Sequence, residues 1–445
     1  MLTSNYISTL QNQTNNRPGF PLGNVCGRHE KLPLNGGVEG GLRTKGIYKK
    51  DTNELPLMTY VTVVKNRCDT IMRCMESVFN QDYPNIEYIV VDGASADGTL
   101  DIIKANEDKI DYFISQKDSS AVAATNKGVS LASGRYVGII NSDDVLVPNA
   151  AGIVMERYKS TGTLVICPMY ANIKEDGTTE EFPDYPRYII PKCPVINAFH
   201  TSAIYIAREA YETVGAFDES YLAINDCVWY NKCIDLGVDI ELIDDVLSKF
   251  ALGGISCTWH KTIADEANRF IREVFPFLSK KQAETYKNAL SVGISIKSPY
   301  FRVLKKHFKE NKGFRAAAYR TALYVAIRAF YRFIMAGNDK IEDINASYKL
   351  LNDKLSDSLK QGDDFDASEG DFVKINQINH LFRTYERAYK YANINNSNVL
   401  IKAFWLGKSY VRRCARFIVM NNRILLRLYF GYKRLAIKSV ENQSK

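Results

Sequence analysis

The feature that most constrains this chain is an alternation running from Leu57 to Ile140. Short apolar, β-branched runs take turns with segments whose apolar residues recur at helical spacing. LMTYVTVV, IEYIVVD, DYFIS and RYVGII suit strands buried on both faces. Between them, DTIMRCMESVFNQ places Ile71, Met75 and Val78 on one helical face behind a cap at Asp69. TLDIIKANED and SAVAATNKGVSLAS read as two further helices. Such rotation builds βαβ units, and hence a largely parallel sheet covered by helices on both faces. Ligands of such sheets bind beyond the carboxyl ends of the strands. Three of those ends are polar here: Lys65-Asn66, Asp92-Gly93 and Asn141-Ser142-Asp143-Asp144. They are expected to converge on one rim.

The alternation covers only part of the 445 residues, which suffice for two or three domains. Residues 1–54 form an N-terminal extension, in which LPLNGGVEGGLRTKG carries two Gly pairs and reads as a loop or lid, not a core element. Residues 55–265 form the α/β domain. Its second half is less regular, with a strand in TLVICPMYANI, a hairpin with TTEEFPDY, and a strand leading into a helix in HTSAIYIAREAYETVG. A helix entered through Asp226 and a strand over DIELIDDVLSKF close it. Residues 266–350 read as a helical basic region, with one helix over about 299–336. Residues 351–372 read as an acidic, solvated linker, and residues 373–445 as a basic amphipathic helical region.

Composition narrows the class. A hydrophobic share of 46% and a charged share of 24% belong to a globular chain. The nine cysteines are odd in number and contain no CxxC pair. The opening MLTSNYISTLQNQTNN lacks the basic and apolar regions of a signal peptide, so reduced thiols in the cytoplasm are expected. The longest apolar candidate, AAAYRTALYVAIRAFYRFIMAG, is broken by Arg320, Arg328 and Arg332. Residues 399–439 contain no acid while Lys402, Arg413, Arg416, Arg423, Arg427 and Arg434 recur at roughly helical spacing. That pattern suits the interface of an anionic inner leaflet, a solvated helix or a dimer-packing helix being the alternatives. No recognition motif accompanies the charge, so nucleic acid is not an expected partner.

The acids ending the fourth strand pose the chemical question. Asp and Asn are common in turns for local reasons. Adjacent carboxylates nevertheless repel unless a cation stands in front of them. Mg²⁺ and Mn²⁺ take few protein carboxylates and fill their shells with water and phosphate oxygens, so a diphosphate ligand would be clamped there.

The stretch from LMTYVTVV to TLDII, with SVFNQDYPNIEYIVVDG and SADGT, is followed by NKG, NSDD, GAFDESY and NDCVWY in order. Over residues 56–260 this resembles the family-two inverting glycosyltransferases of bacterial surface polysaccharides, which have a GT-A fold. The resemblance implies a Rossmann-like mixed α/β sheet flanked by helices, ahead of the helical C-terminal region read from the pattern above. It also implies a nucleotide-sugar donor and Mn²⁺ or Mg²⁺. It places Val63, Lys65, Asp92, Asp118, Asn126 and Asp143 on the donor side, with Asp92 at the nucleotide base. Asp143 and Asp144 match the acidic metal-binding element, their order open, and His260 is a further metal or phosphate contact unless it is a surface histidine. Asp226 matches the catalytic base, which takes the acceptor's proton; an N-terminal helix cap is the alternative. His200 falls on the acceptor side, a buried and satisfied histidine near the sheet being the alternative.

The pattern also departs from the family. Lys65 stands where an aromatic is usual, Gly93 where many members carry a second acid, Val122-Ala123 where close relatives have Tyr-Asp, and Asn141 at the first acidic position. The expected activity is transfer of a hexose or N-acetylhexosamine from a UDP-sugar to a growing surface glycan or lipid-linked acceptor. The expected location is the cytoplasm, at the inner face of the membrane. A sugar nucleotidyltransferase is the rival enzyme, disfavoured because no Gly-rich, Arg/Lys-bearing loop follows the first strand. A non-catalytic scaffold that keeps the fold is the rival of another class.

Overall fold

The computed structural model of the protein describes residues 34, 36–173, 179–181, 204–252, 259–292, 299–333, 342–361 and a few residues between 365 and 375. All belong to the first of two compact units, Met1–Asn376 and Gln377–Lys445. The acceptor-side expectation for His200 and the basic segment 399–439 lie outside the described residues.

Among the described residues ten strands form one sheet. In chain order they are β1 (Val38–Gly40), β2 (Met58–Val64), β3 (Ile86–Asp92), β4 (Tyr112–Ser115) and β5 (Tyr136–Ile139). Then come β6 (Val145–Leu146), β7 (Val165–Ile173), β8 (Thr179–Glu181), β9 (Tyr205–Ala207) and β10 (Ile240–Ala251). Across the sheet the order is β1-β4-β3-β2-β5-β9-β7-β10-β6, with β8 paired to β7. Strands β2 to β5 run parallel, β9 opposes β5 and β7, and β10 runs parallel to β7. The sheet is therefore mixed, with six strands pointing one way.

Helices α1 (Ile71–Phe79), α2 (Thr99–Ala105), α3 (Ala121–Leu131), α4 (Ala150–Thr161), α5 (Arg208–Val214) and α6 (Asn225–Asp235) accompany the sheet. The two-residue period of β2 divides the core. Met58, Tyr60 and Val64 meet Ile71, Cys74, Met75 and Val78 of α1 and Val154 and Met155 of α4 on one face. Val61, with Val91, Ile114 and Ile139, meets Val122, Val129 and Leu131 of α3 and Trp229 and Cys233 of α6 on the other. Each fully buried aliphatic side chain contributes roughly 1.5–3 kcal/mol. Gly128, the glycine of NKG, lets α3 lie against β2, since a Cβ there would come 2.3 Å from Cγ1 of Val61.

The N-terminal extension differs from the loop or lid read from its glycines. Residues 38–40 pair antiparallel with β4 as the edge of the sheet. Gly37 and Gly40 sit where a Cβ would come 2.4 Å from Ser115 O and from the Phe113 ring, so the Gly pairs permit close approach. Arg43 then enters the core and pairs with Glu87, which Thr59 and Ser133 also hydrogen-bond. Both ionic side chains are buried.

Beyond the sheet the described residues are helical: α7 (His260–Val274), α8 (Lys280–Val292), α9 (Pro299–Glu310), α10 (Lys312–Phe333) and α11 (Glu342–Lys360). The helix expected over about 299–336 is two, interrupted at Asn311. The acidic linker expected over 351–372 is also corrected in its first half. Residues 351–360 continue α11, Leu351 and Leu355 are fully buried, and buried Arg320 of α10 donates to Ser358 O at 2.6 Å. Two apolar residues at i, i+4 anchor that helix under an acidic surface. Among the described residues no helix is long and apolar enough to cross a membrane.

Candidate functional site

Because β2, β3, β4, β5 and β10 point the same way, their carboxyl ends share one edge. The loops leaving β2 and β3 there are laced together. Asn66 N donates to Ser95 Oγ at 2.8 Å and Ala96 N to Asn66 Oδ1 at 2.9 Å. Arg67 N donates to Thr99 Oγ1 at 2.8 Å and Cys68 N to Asp97 Oδ2 at 3.0 Å. The lacing holds Asn66 at φ 53° and Ala94 at φ 59°, left-handed conformations that non-glycine residues keep only under such constraint. Asp97, of the SADGT motif, is the pin. The Thr99 hydroxyl and the Cys68 amide hold its carboxyl well below the usual carboxylate range.

Asp92 ends β3 inside this rim. It is fully buried, and its oxygens accept from Ser95 N at 3.1 Å, from the Ser95 hydroxyl and from the Ser115 hydroxyl. The residue expected at the nucleotide base therefore shapes the rim and presents no exposed surface to a ligand. Beside it Val63 is half-buried and Lys65 exposed. The Lys65 stem lies over Gly93, whose Cβ, if present, would stand 3.3 Å from Lys65 Cδ.

The two adjacent acids separate sharply. Asp144 is fully buried: its Oδ1 accepts from Ala251 N at the end of β10 at 2.9 Å, and its Oδ2 from Asn141 Nδ2 at 3.0 Å. It ties the turn after β5 to the far side of the sheet. Asp143 is half-buried, and its carboxylate makes no hydrogen bond or ion pair among the described residues. Exposed Arg73 of α1 donates to its backbone oxygen at 3.0 Å, which brings a guanidinium to the turn. Sequence reasoning missed Arg73, since helical spacing marks it only as a solvated position. Both acids are felt by Cys74 below them. Its thiol is pushed up to about 12, chiefly by burial and further by the charges of Asp144 and Asp143.

Asp118 and Asn126 are both near this edge in sequence, one after β4 and one in α3. Asp118 pairs with Lys127 in a largely buried ion pair, and its Oδ2 is buried with no hydrogen-bond partner among the described residues. Asn126 is a brace. Its Nδ2 donates to Phe217 O at 2.9 Å and to Glu219 Oε1 at 3.1 Å, while Phe217 N donates to its Oδ1 at 3.0 Å. Its carboxamide is thus committed to the GAFDESY segment.

Asp226 lies in the first turn of α6, one residue inside the helix, and is half-buried. The cap position is Ile224, and Asp226 Oδ1 accepts from Cys227 N at 2.7 Å. A carboxylate is stabilised at that positive helix end. His260 is exposed at the start of α7. Among the described residues no group of three or more His, Cys, Asp or Glu side chains gathers as a metal cage, so Asp143, Asp144 and His260 do not form a three-ligand set. Asp143 alone fits a hard cation, in a sparser way. Asp143 is open, and such an ion draws its remaining ligands from phosphate and water.

Residues 59–214 match the family model described as Glycosyl transferase family 2. The chain is 28% identical over 238 residues to the chondroitin synthase of Escherichia coli, covering 52% of this chain and 34% of that protein. It is 38% identical over 130 residues to the putative teichuronic acid biosynthesis glycosyltransferase TuaG of Bacillus subtilis, covering 28% of this chain and 52% of that one. It thus spans about a third to a half of the length of these relatives. Among solved structures, S. aureus TarS 1–349 in complex with UDP-GlcNAc matches at a TM-score of 0.42 and 15% identity, over 69% of this chain and 92% of that one. The mannosyltransferase PcManGT of Pyrobaculum calidifontis, in complex with GDP-Man and Mn2+, matches at 0.40 and 15%, over 72% and 91%.

Proposed function

Residues 59–214 are a family-two glycosyltransferase domain, and from that premise we infer that the chain moves a sugar from a nucleotide-diphosphate donor to a hydroxyl of a growing surface glycan. A UDP-hexose or UDP-N-acetylhexosamine is the donor class, and the sugar is transferred with inversion. The observation that carries the reading is the state of Asp143. A half-buried carboxylate is left open on the carboxyl edge of six parallel strands, with the Arg73 guanidinium at the same turn.

Roles follow from chemistry. Asp143 would hold Mg²⁺ or Mn²⁺, which when bound neutralises charge on the departing diphosphate. Arg73 and Lys65 are exposed cations of the same rim that could meet phosphate oxygens. Asp226 takes the proton of the acceptor hydroxyl as its oxygen attacks the anomeric carbon and the nucleoside diphosphate leaves from the opposite face. Asp118, with a buried oxygen unsatisfied, is suited to accept from a donor hydroxyl. The chondroitin synthase and TuaG relatives support a place in polysaccharide synthesis. The acid-free basic segment 399–439 would rest on an anionic leaflet and keep the site near a lipid-linked acceptor.

The test is calorimetry with UDP, with and without Mn²⁺, on the wild-type chain, Asp143→Ala and Asp226→Asn. Metal-dependent UDP binding should be present in wild type, lost in Asp143→Ala and kept in Asp226→Asn, which should in turn release no sugar. A wild-type chain that binds UDP no better with Mn²⁺ would overturn the metal reading. Full turnover by Asp226→Asn would overturn the base assignment.

A further inference from the structure

The loop before α6 is held from outside the helix. Leu222 N donates to Glu266 Oε1 at 2.7 Å, and Ala223 N and Ile224 N donate to Glu266 Oε2 at 2.9 and 3.1 Å. Three consecutive backbone amides, ending at the cap position of α6, thus converge on one carboxylate from α7. Ile224, at the cap position, makes no side-chain capping hydrogen bond. Glu266 is only 8% exposed, so its carboxylate is committed to these donors rather than to water. The same face of α7 grips the loop twice more. Arg269 donates to Ser220 O at 2.6 Å and lies 3.7 Å above the Tyr221 ring, and Phe270 packs edge-on to Tyr221. Asp226 is two residues beyond the last amide that Glu266 holds.

We propose that Glu266 is a positioning residue for transfer: by gathering the amides of Leu222, Ala223 and Ile224 it sets where the Asp226 carboxylate stands against the acceptor. The proposal rests on the reading of Asp226 as base. The physical reason is that proton transfer and in-line attack tolerate little displacement, and a misplacement of about 1 Å can cost a hundredfold in rate. Glu266 touches no reacting atom in this account. It acts through the loop, at the junction of the sheet domain and the helices that follow it.

Glu266→Gln is the informative variant. It keeps the shape and one acceptor oxygen, but turns an N–H₂ group toward an amide that donates, so at least one of the three bonds becomes a donor–donor contact. Three measurements decide. The first is amide hydrogen exchange of the full-length chain, resolved by mass spectrometry: the peptide spanning Tyr221–Tyr230 should lose protection while peptides of β2 and β3 keep theirs. The second is UDP affinity with Mn²⁺, which should be unchanged. The third is release of nucleoside diphosphate per folded molecule, using whichever of UDP-glucose, UDP-N-acetylglucosamine, UDP-galactose and GDP-mannose the wild-type chain hydrolyses fastest. It should fall about ten- to a hundredfold in kcat with little change in the donor KM.

Asp226→Asn separates this proposal from the one beneath it. Turnover near wild type in Asp226→Asn alone would remove the base reading. An inactive Asp226→Asn beside a Glu266→Gln chain of wild-type kcat would remove the positioning role and leave the base standing. Unchanged exchange in the Tyr221–Tyr230 peptide, or loss of protection throughout the sheet, would also overturn the proposal.

Discussion

Asp143 and Asp144 are adjacent and chemically identical, yet their surroundings demand opposite responses to the same substitution. Asp144→Ala removes a fully buried carboxylate that receives Ala251 N and Asn141 Nδ2. Each of these is a hydrogen bond to a charged acceptor, worth about 1.5–3 kcal/mol, and each leaves a half-buried residue's donor without its partner. Taking the lower figure for both gives a loss of about 3 kcal/mol. For a domain of this size that lowers Tm by about 6–12 °C. Asp143→Ala removes a half-buried carboxylate with no hydrogen bond or ion pair among the described residues, and relieves a like charge beside Asp144. Its effect should stay within about 0.5 kcal/mol of zero, a Tm change of no more than about 2 °C. The assay is thermal unfolding of both variants without ligand, repeated with UDP and Mn²⁺. Wild type should gain Tm from the ligand pair, and Asp143→Ala should gain little or none, because the carboxylate proposed to hold the metal is gone. Equal losses of Tm in the two variants would refute the division of roles. So would an Asp144→Ala chain of wild-type Tm that no longer responds to Mn²⁺.

Gly128→Ala should destabilise by about 1–3 kcal/mol, because the added methyl meets Val61 at 2.3 Å and either α3 or β2 must give way; urea unfolding reads the difference. Glu87 supplies a pH dependence. Burial would raise its carboxyl, but Arg43, Ser133 and Thr59 outweigh burial and lower it. A lowered folded value stabilises above the unfolded pKa of about 4.3 and is lost as pH falls through the folded value. Stability should therefore drop below about pH 4, and Glu87→Gln, though less stable at neutral pH, should flatten that limb of the pH–stability curve.

How much of this was legible in the sequence depends on the range over which each signal acts. Alternation is local, so the four parallel strands and their helices were readable from residues a few positions apart, down to the face of α1 that carries Ile71, Met75 and Val78. The polar strand ends were readable for the same reason: a parallel sheet has one carboxyl edge, and composition marks where each strand reaches it. Glycine carried two meanings that local reading does not separate. In GGVEGG it indicated a loop, whereas the edge pairing of β1 with β4 requires the missing side chains at Gly37 and Gly40. The acidic surface of residues 351–360 likewise hid a helix, because the partner that buries Leu351 and Leu355 lies outside the segment.

At the site, residue type named the chemistry but not the allocation. Asp92, Asp143 and Asp144 all read as ligand-facing acids, and the structure divides them by where their hydrogen-bond donors come from. Ser115 reaches Asp92 from 23 positions away, and Ala251 reaches Asp144 from 107. A carboxylate supplied with protein donors at such distances is consumed in holding the strands' ends together, and the one left without them is open to a ligand. Glu266 falls on the first side of that division, filled by three amides from a loop more than 40 residues away. An acidic motif in an α/β chain therefore needs its donors counted before its ligands are assigned. In this chain that count leaves the Asp143 carboxylate open among the described residues, and spends those of Asp92, Asp144 and Glu266 on the frame around it.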